Sequence, residues 1–263
     1  MPVTGNSTEM KDKILSIRLS ADGLSFWINA VSKDAGNASP WGYAPDYASQ
    51  SPEKYMAFSR ELGHAESIRR AIQRAVAAAG TQVGPVCVMP DTCKTVLVPE
   101  ELFDRGQVAD YLLINNIAAG AAETAEVAQV AVGAACAAAV IVYDREALNV
   151  AREVFGDRLH ITSPLEAAAA YSCRKFKRKY TGKDFAALYL TGANVYITVC
   201  TAGSGVLKYC EVLPYSSAAD ILYYMQEVGA RFDLCKNPVY IKGIDGEKVA
   251  KLLKKTYKKC KCE

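Results

Sequence analysis

A hairpin near the start of the chain constrains the fold more than any other feature. Ile14, Leu15, Ile17 and Leu19 form an apolar run, Ala21-Asp22-Gly23 supplies a turn, and Leu24, Phe26 and Ile28 resume the alternation. Asp-Gly between two such runs specifies antiparallel strands joined by a tight turn. An antiparallel opening recurs in the second half. Phe185–Leu190, Val195–Thr201 and Val206–Val212 read as a three-stranded meander, with turns at Thr191-Gly192-Ala193-Asn194 and Ala202-Gly203-Ser204-Gly205.

After each opening the chain passes into helices and further strands. Ser51-Pro52-Glu53 is expected to open a helix running to Ala79, with a break at Gly63 and a stop at Gly80. Strands are expected over Val86–Pro90, Thr95–Val98, Glu126–Val132, Ala137–Tyr143 and Leu159–Ile161. Helices are expected from Pro99, over Asp110–Asn116, over Arg145–Phe155 and from the Ser163-Pro164 cap. In the second half a helix runs from Ser216 to about Arg231, a strand covers Pro238–Lys242, and a last helix starts at Gly246. Ser32–Pro52, polar and containing Gly and Pro, reads as a long loop. The duplicated order predicts an α/β protein of two similar lobes, residues 14–175 and 176–263, after a disordered tail of residues 1–13.

Composition narrows the class. Of the 263 residues, 51% are hydrophobic, enough for a sizeable core. The longest apolar stretch, Val127–Tyr143, is broken by Gln129 and Gly133 and is too short for a membrane span, so no membrane insertion is expected. The polar N-terminal stretch lacks the apolar core of a signal peptide, and a cytoplasmic location is expected. The nine cysteines are scattered, with no Cys-x-x-Cys pair, so neither a disulfide framework nor a metal site is expected. Cys87, Cys136, Cys200 and Cys210 fall in strand-like runs as small buried hydrophobes, and the tail Cys260-Lys261-Cys262 reads as an exposed, frayed terminus. The net charge of +3 points to no particular partner. The basic runs Arg174–Lys179 and Lys248–Lys261 read as solvated helix faces rather than a nucleic-acid surface.

No hydrolytic constellation stands out. Of the two histidines, His64 reads as an exposed side chain and His160 as a hydrogen-bonded structural residue. No Gly-x-Ser-x-Gly elbow is present. Tyr215, Tyr223, Tyr224 and Phe232 flank or follow helical spacing and read as core or interface packing, with a base-stacking platform as the alternative.

The segments Leu15–Ile28, Ala219–Ile244, Val86–Phe103 and Ile161–Ser172 carry a resemblance. The chain is similar to a bacterial domain-of-unknown-function family with an actin-like ATPase fold, and to the pilus-assembly protein PilM and the cytoplasmic part of the secretion protein GspL. The resemblance spans nearly the whole chain from about Leu15. It implies two ribonuclease-H-like lobes with mixed sheets flanked by helices, clasping a nucleotide. In that superfamily an Asp at the end of each lobe's first strand organises Mg²⁺, and turn N–H groups hold phosphate. Here Arg18 stands for the first Asp and Ser20 for the following Gly, while Tyr189 stands for the second Asp. Asp22-Gly23, Thr191-Gly192 and Gly243 keep turn positions of the same site.

The resemblance thus implies a candidate cleft for ATP or ADP formed by Arg18, Ser20, Asp22, Gly23, Thr191, Gly192 and Gly243, with no catalytic residue and no metal ligand. An arginine at position 18 reverses the charge a metal needs. The function expected is a non-catalytic or degenerate nucleotide-binding scaffold that works through a protein partner. The alternatives are an active ATPase or kinase with a metal site rearranged around Asp22, Asp184 or Asp245, and a basic-surface module that binds RNA.

Overall fold

Side-chain alternation sets the first sheet, and the same pattern builds the second. The computed structural model describes residues 13–30, 54–59, 61–80, 84–132, 135–165, 168–169, 172, 182–204 and 206–263. In chain order they form β1 (Lys13–Ser20), β2 (Gly23–Ala30), β3 (Lys54–Ala57), α1 (His64–Ala79), β4 (Val86–Pro90), β5 (Thr95–Pro99), α2 (Val108–Ile114), β6 (Glu123–Val132) and β7 (Ala135–Asp144). There follow α3 (Arg145–Phe155), β8 (Leu159–Ile161), β9 (Asp184–Leu190), β10 (Asn194–Thr201), β11 (Leu207–Pro214), α4 (Ala218–Phe232), β12 (Val239–Gly243), α5 (Gly246–Leu253) and β13 (Cys260–Cys262). Residues 164–165, 168–169 and 172 are helical as well. The polar N-terminal stretch, the loop expected over 32–52, the basic run 174–179 and the side chain of Cys136 lie outside the described residues.

The described residues divide into two compact units, one from segments up to residue 90 with 144–162, the other from 91–143 and 163–263. In the first unit the sheet order is β3-β2-β1-β4-β8. β1 pairs antiparallel with β2 and parallel with β4, and β8 extends the parallel side. Leu15, Ile17, Leu19, Leu24, Phe26, Val86 and Val88 form one apolar core with Ile68, Ala71, Ile72 and Ala75 of α1 and Ala147, Val150, Ala151 and Phe155 of α3. The period of two on the strands meets the three-four spacing on the helices, as a sheet covered by amphipathic helices requires. Asp144 caps α3 by accepting from the N–H groups of Glu146 (2.8 Å) and Ala147 (3.0 Å).

One expectation fails here. Lys54–Ala57, read as the start of a helix, is instead strand β3, paired antiparallel with β2, and the helix begins only at His64. In this segment Met56 alone is buried, and Lys54, Tyr55 and Ala57 are exposed, as suits the edge strand of a sheet.

The second unit repeats the plan. Its sheet order is β11-β10-β9-β12-β13, with β9 antiparallel to β10 and parallel to β12. Leu188, Leu190, Ile197 and Ile241 pack against Ile221, Met225 and Val228 of α4 and Val249 and Leu253 of α5. Ser217 and Asp220 form a reciprocal capping box at the start of α4. The helical residues near 163–172 meet this sheet on its other face, where the hydroxyls of Ser172 and Thr198 are 2.5 Å apart. Between β4 and α3 the chain inserts a three-stranded sheet, β5-β7-β6, whose Val96, Val98, Val140 and Val142 pack with Leu112 of α2.

The tail expectation is also corrected. Cys260–Cys262 is not a frayed end but strand β13, parallel to β12, and Cys260 is 3% exposed. It occupies in the second unit the place β8 holds in the first. Burial pushes its thiol up to about 11, so it packs as a neutral hydrophobe. Among the described residues no helix is long and apolar enough to cross a membrane.

Gly229 tests this packing. It lies in α4 beneath Tyr257, whose hydroxyl donates to the Met225 carbonyl, and a side chain at 229 would overlap that hydroxyl. Gly→Ala inside a helix ordinarily gains about 1 kcal/mol. Here the overlap outweighs the gain, and Gly229→Ala should destabilise the chain by about 1–3 kcal/mol in urea unfolding. Adding Tyr257→Phe should recover part of that loss.

Candidate functional site

The hairpin of the first unit carries four of the expected residues. Arg18 points away from Ile17 and Leu19, as alternation requires, and lies opposite Ser25 on β2. Its Nη2 is 3.5 Å from the Ser25 hydroxyl, and its guanidinium carbon lies 5.7 Å from the centre of the Trp27 ring. That arrangement is a cation–π contact on a part-buried sheet face. At the turn, the Ser20 hydroxyl lies 3.1 Å from the Asp22 carboxylate and 3.0 Å from the Gly23 carbonyl. Strand β3 closes over the turn, with the Phe58 N–H donating to the Asp22 carbonyl at 2.8 Å. Burial, then a hydrogen bond to Asp22, raises the Tyr55 phenol above its ordinary value. A side chain at Gly23 would fall 2.5 Å from the Met56 carbonyl, so β3 requires glycine there.

The second unit brings Thr191, Gly192 and Gly243 together through the parallel pairing of β9 with β12, in which Gly243 stands beside Leu190. Gly243 has φ of 120° and presses onto the Leu190 backbone, which leaves no room for a Cβ. The Ile244 N–H donates to the Leu190 carbonyl at 3.1 Å, and a Cβ at Gly192 would lie 3.2 Å from the Ile244 side chain.

Three backbone donors of this turn serve acceptors of the chain itself. The Thr191 N–H donates to the Asn194 carbonyl at 3.0 Å, and the Asn194 N–H to the Thr191 hydroxyl at 3.1 Å. The Gly192 N–H donates to the Tyr215 hydroxyl at 3.2 Å. One oxygen of Asp91 then accepts from the Thr191 hydroxyl (3.1 Å), the Asn194 amide (2.8 Å) and the Tyr196 phenol (3.4 Å). An internal carboxylate thus meets the polar side chains of the turn that the resemblance assigns to phosphate. Tyr189, at the second carboxylate position, is 2% exposed and packs edge-on to Tyr196 with ring centres 6.4 Å apart.

Asp91 was not singled out from the sequence. Its one signal is its place directly after an apolar strand, where chain ends in α/β sheets gather polar side chains. The other acidic candidates do not converge. Asp184 opens β9 and pairs with Lys208 at 2.8 Å, whereas Asp245 follows the far end of β12 and precedes α5. His64 is exposed, as expected, and its Nε2 is 2.7 Å from the Asp144 carboxylate. His160 is partly buried, which lowers its pKa and keeps it neutral.

Residues 4–258 match a protein family described as a protein of unknown function, DUF3822. The chain belongs to the DUF3822 family. No curated protein matches it. This DUF3822 chain is similar to a solved Bacteroides thetaiotaomicron protein with an actin-like ATPase fold and unknown function, at 16% identity and a TM-score of 0.74 over 98% of this chain and 93% of that one. It is also similar to a chain of a PilM-PilN type IV pilus biogenesis complex, at 13% identity and a TM-score of 0.55 over 96% of this chain and 88% of that one. The fold is therefore that of the actin-like ATPases, mixed α/β with two mixed sheets.

The Asp91 contacts make a measurable unit. Asp91→Ala removes an acceptor shared by the Thr191 hydroxyl, the Asn194 amide and the Tyr196 phenol and should lower stability by about 1–3 kcal/mol. A double-mutant cycle with Asn194→Ala should show coupling of roughly 0.5–3 kcal/mol, because the two changes remove the same contact.

Proposed function

We propose that this DUF3822 chain is a cytoplasmic, non-catalytic scaffold that keeps the actin-like ATPase fold and works by binding a protein partner. The observation that carries the reading is the turn at Thr191–Asn194, whose Gly192 N–H is spent on Tyr215 and whose polar side chains are spent on Asp91. Phosphoryl transfer in this fold depends on positioned N–H groups and a carboxylate-held Mg²⁺. A cation at position 18 and a buried phenol at position 189 do not fit such a metal. Asp22, the nearest carboxylate in the first hairpin, is engaged by Ser20 and Tyr55. A partner-binding role is supported by the likeness to a chain solved in a complex, PilM-PilN.

Two assays on the purified chain test the reading. ATP hydrolysis should not rise above background with Mg²⁺, and neither ATP nor ADP should shift the melting temperature. A steady Mg²⁺-dependent rate that Asp22→Ala abolishes would mean a rebuilt metal site and an active ATPase or kinase.

A further inference from the structure

The second unit holds an open cavity of about 740 Å³ at the end of the sheet where β9 begins. That is the opposite end of β9 from the Thr191 turn. Its walls come from the start of β9, the start of β11, the end of α4 and the residues before β13. Lys183, Lys208, Lys236, Lys258 and Lys259 line it, against Asp184 and Asp233. The cavity's net charge of +3, from these five lysines and two aspartates, equals that of the entire chain. Asp184 is already committed, to Lys208 at 2.8 Å and to the Thr201 hydroxyl at 2.9 Å. Lys183, Lys236, Lys258 and Lys259 are exposed and have no acidic partner among the described residues.

Like charges held around a concavity repel one another and concentrate a field that draws in an anion. Separate ammonium groups on flexible stems act as point charges and do not make the planar fork that singles out one oxyanion. Spread around a cavity of this volume, they suit an extended ligand with several negative charges rather than one phosphate. A single-stranded nucleic acid would need aromatic faces for stacking. The one aromatic ring in the lining, Phe232, is taken, with Tyr209 at 5.8 Å and the Arg231 guanidinium at 5.3 Å.

We propose that this lysine-lined cavity of the second unit docks an acidic segment of a partner protein. The proposal rests on the reading that the chain works through a partner, and it names the surface and the partner's chemistry. Charge complementarity of this kind steers encounter and fades with salt.

The test is fluorescence anisotropy with the full chain and a labelled octapeptide of alternating Glu-Asp pairs and Leu. The peptide should bind, and the double variant Lys258→Glu with Lys259→Glu should weaken binding at least about tenfold. Both lysines are exposed, and circular dichroism should report an unchanged fold. Lys54→Glu, an exposed change in the other unit, should leave affinity unaltered. Absence of peptide binding, or binding indifferent to the double variant, would overturn the proposal. So would displacement of the peptide by oligouridine RNA or by inorganic phosphate at equal or lower concentration. If the peptide fails while ATP hydrolysis stays at background, this surface falls and the scaffold reading stands. Hydrolysis in a chain that still binds the peptide would remove the scaffold reading and keep the surface.

Discussion

Each five-stranded sheet is organised by one strand that pairs antiparallel on one side and parallel on the other, β1 in the first unit and β9 in the second. The antiparallel side is closed by a tight turn, so its register is set locally. The parallel neighbour must be reached by a crossover, and α1 and α4 supply it. Those crossovers bury the faces that carry Leu15, Ile17 and Leu19 in one unit and Leu188 and Leu190 in the other. The same pairing places the end of β12 beside the end of β9. Gly243 therefore lies on Leu190, and the Ile244 side chain reaches Gly192. The geometry of the candidate turn is a consequence of the sheet.

What such a turn can do depends on which charges reach it. Asp91 brings a carboxylate to Thr191 and Asn194, where a phosphate would need donors. Two unit negative charges about 4 Å apart repel by roughly 4 kcal/mol at an effective dielectric of 20. Tyr189, a buried phenol, is not a ligand for the Mg²⁺ whose positive charge would offset the repulsion. The side-chain and backbone contacts therefore act in the same direction. The turn is stabilised as part of the fold.

Much of this was legible in the sequence. The hairpin at Asp22-Gly23, the meander read over Phe185–Val212 and the helix read from Ser216 are local signals, and each formed within a few residues of its expected place. The actin-like fold was legible from the quoted segments, and the family match and the solved structures bear it out. What the sequence concealed was tertiary. Lys54–Ala57, four residues long, is too short to announce a strand, and the open edge of β2 makes it one. Cys260–Cys262 looked like a solvated end because its lysine-rich flank is polar. The duplicated plan, which gives the first unit a fifth strand in β8, was the signal that a fifth strand belonged there. Asp91 was invisible because its partners lie about a hundred residues away in the chain, at separations of 100, 103 and 105.

The most direct measurement of a closed turn is at the Gly192 and Asn194 amides. In a ¹⁵N-labelled chain titrated with ATP and Mg²⁺, both resonances should stay in place, because their N–H groups already bond Tyr215 and Thr191. A saturable shift of the Gly192 amide that persists in ADP would mean that a phosphate displaces Tyr215 and enters the turn, and it would contradict the scaffold reading.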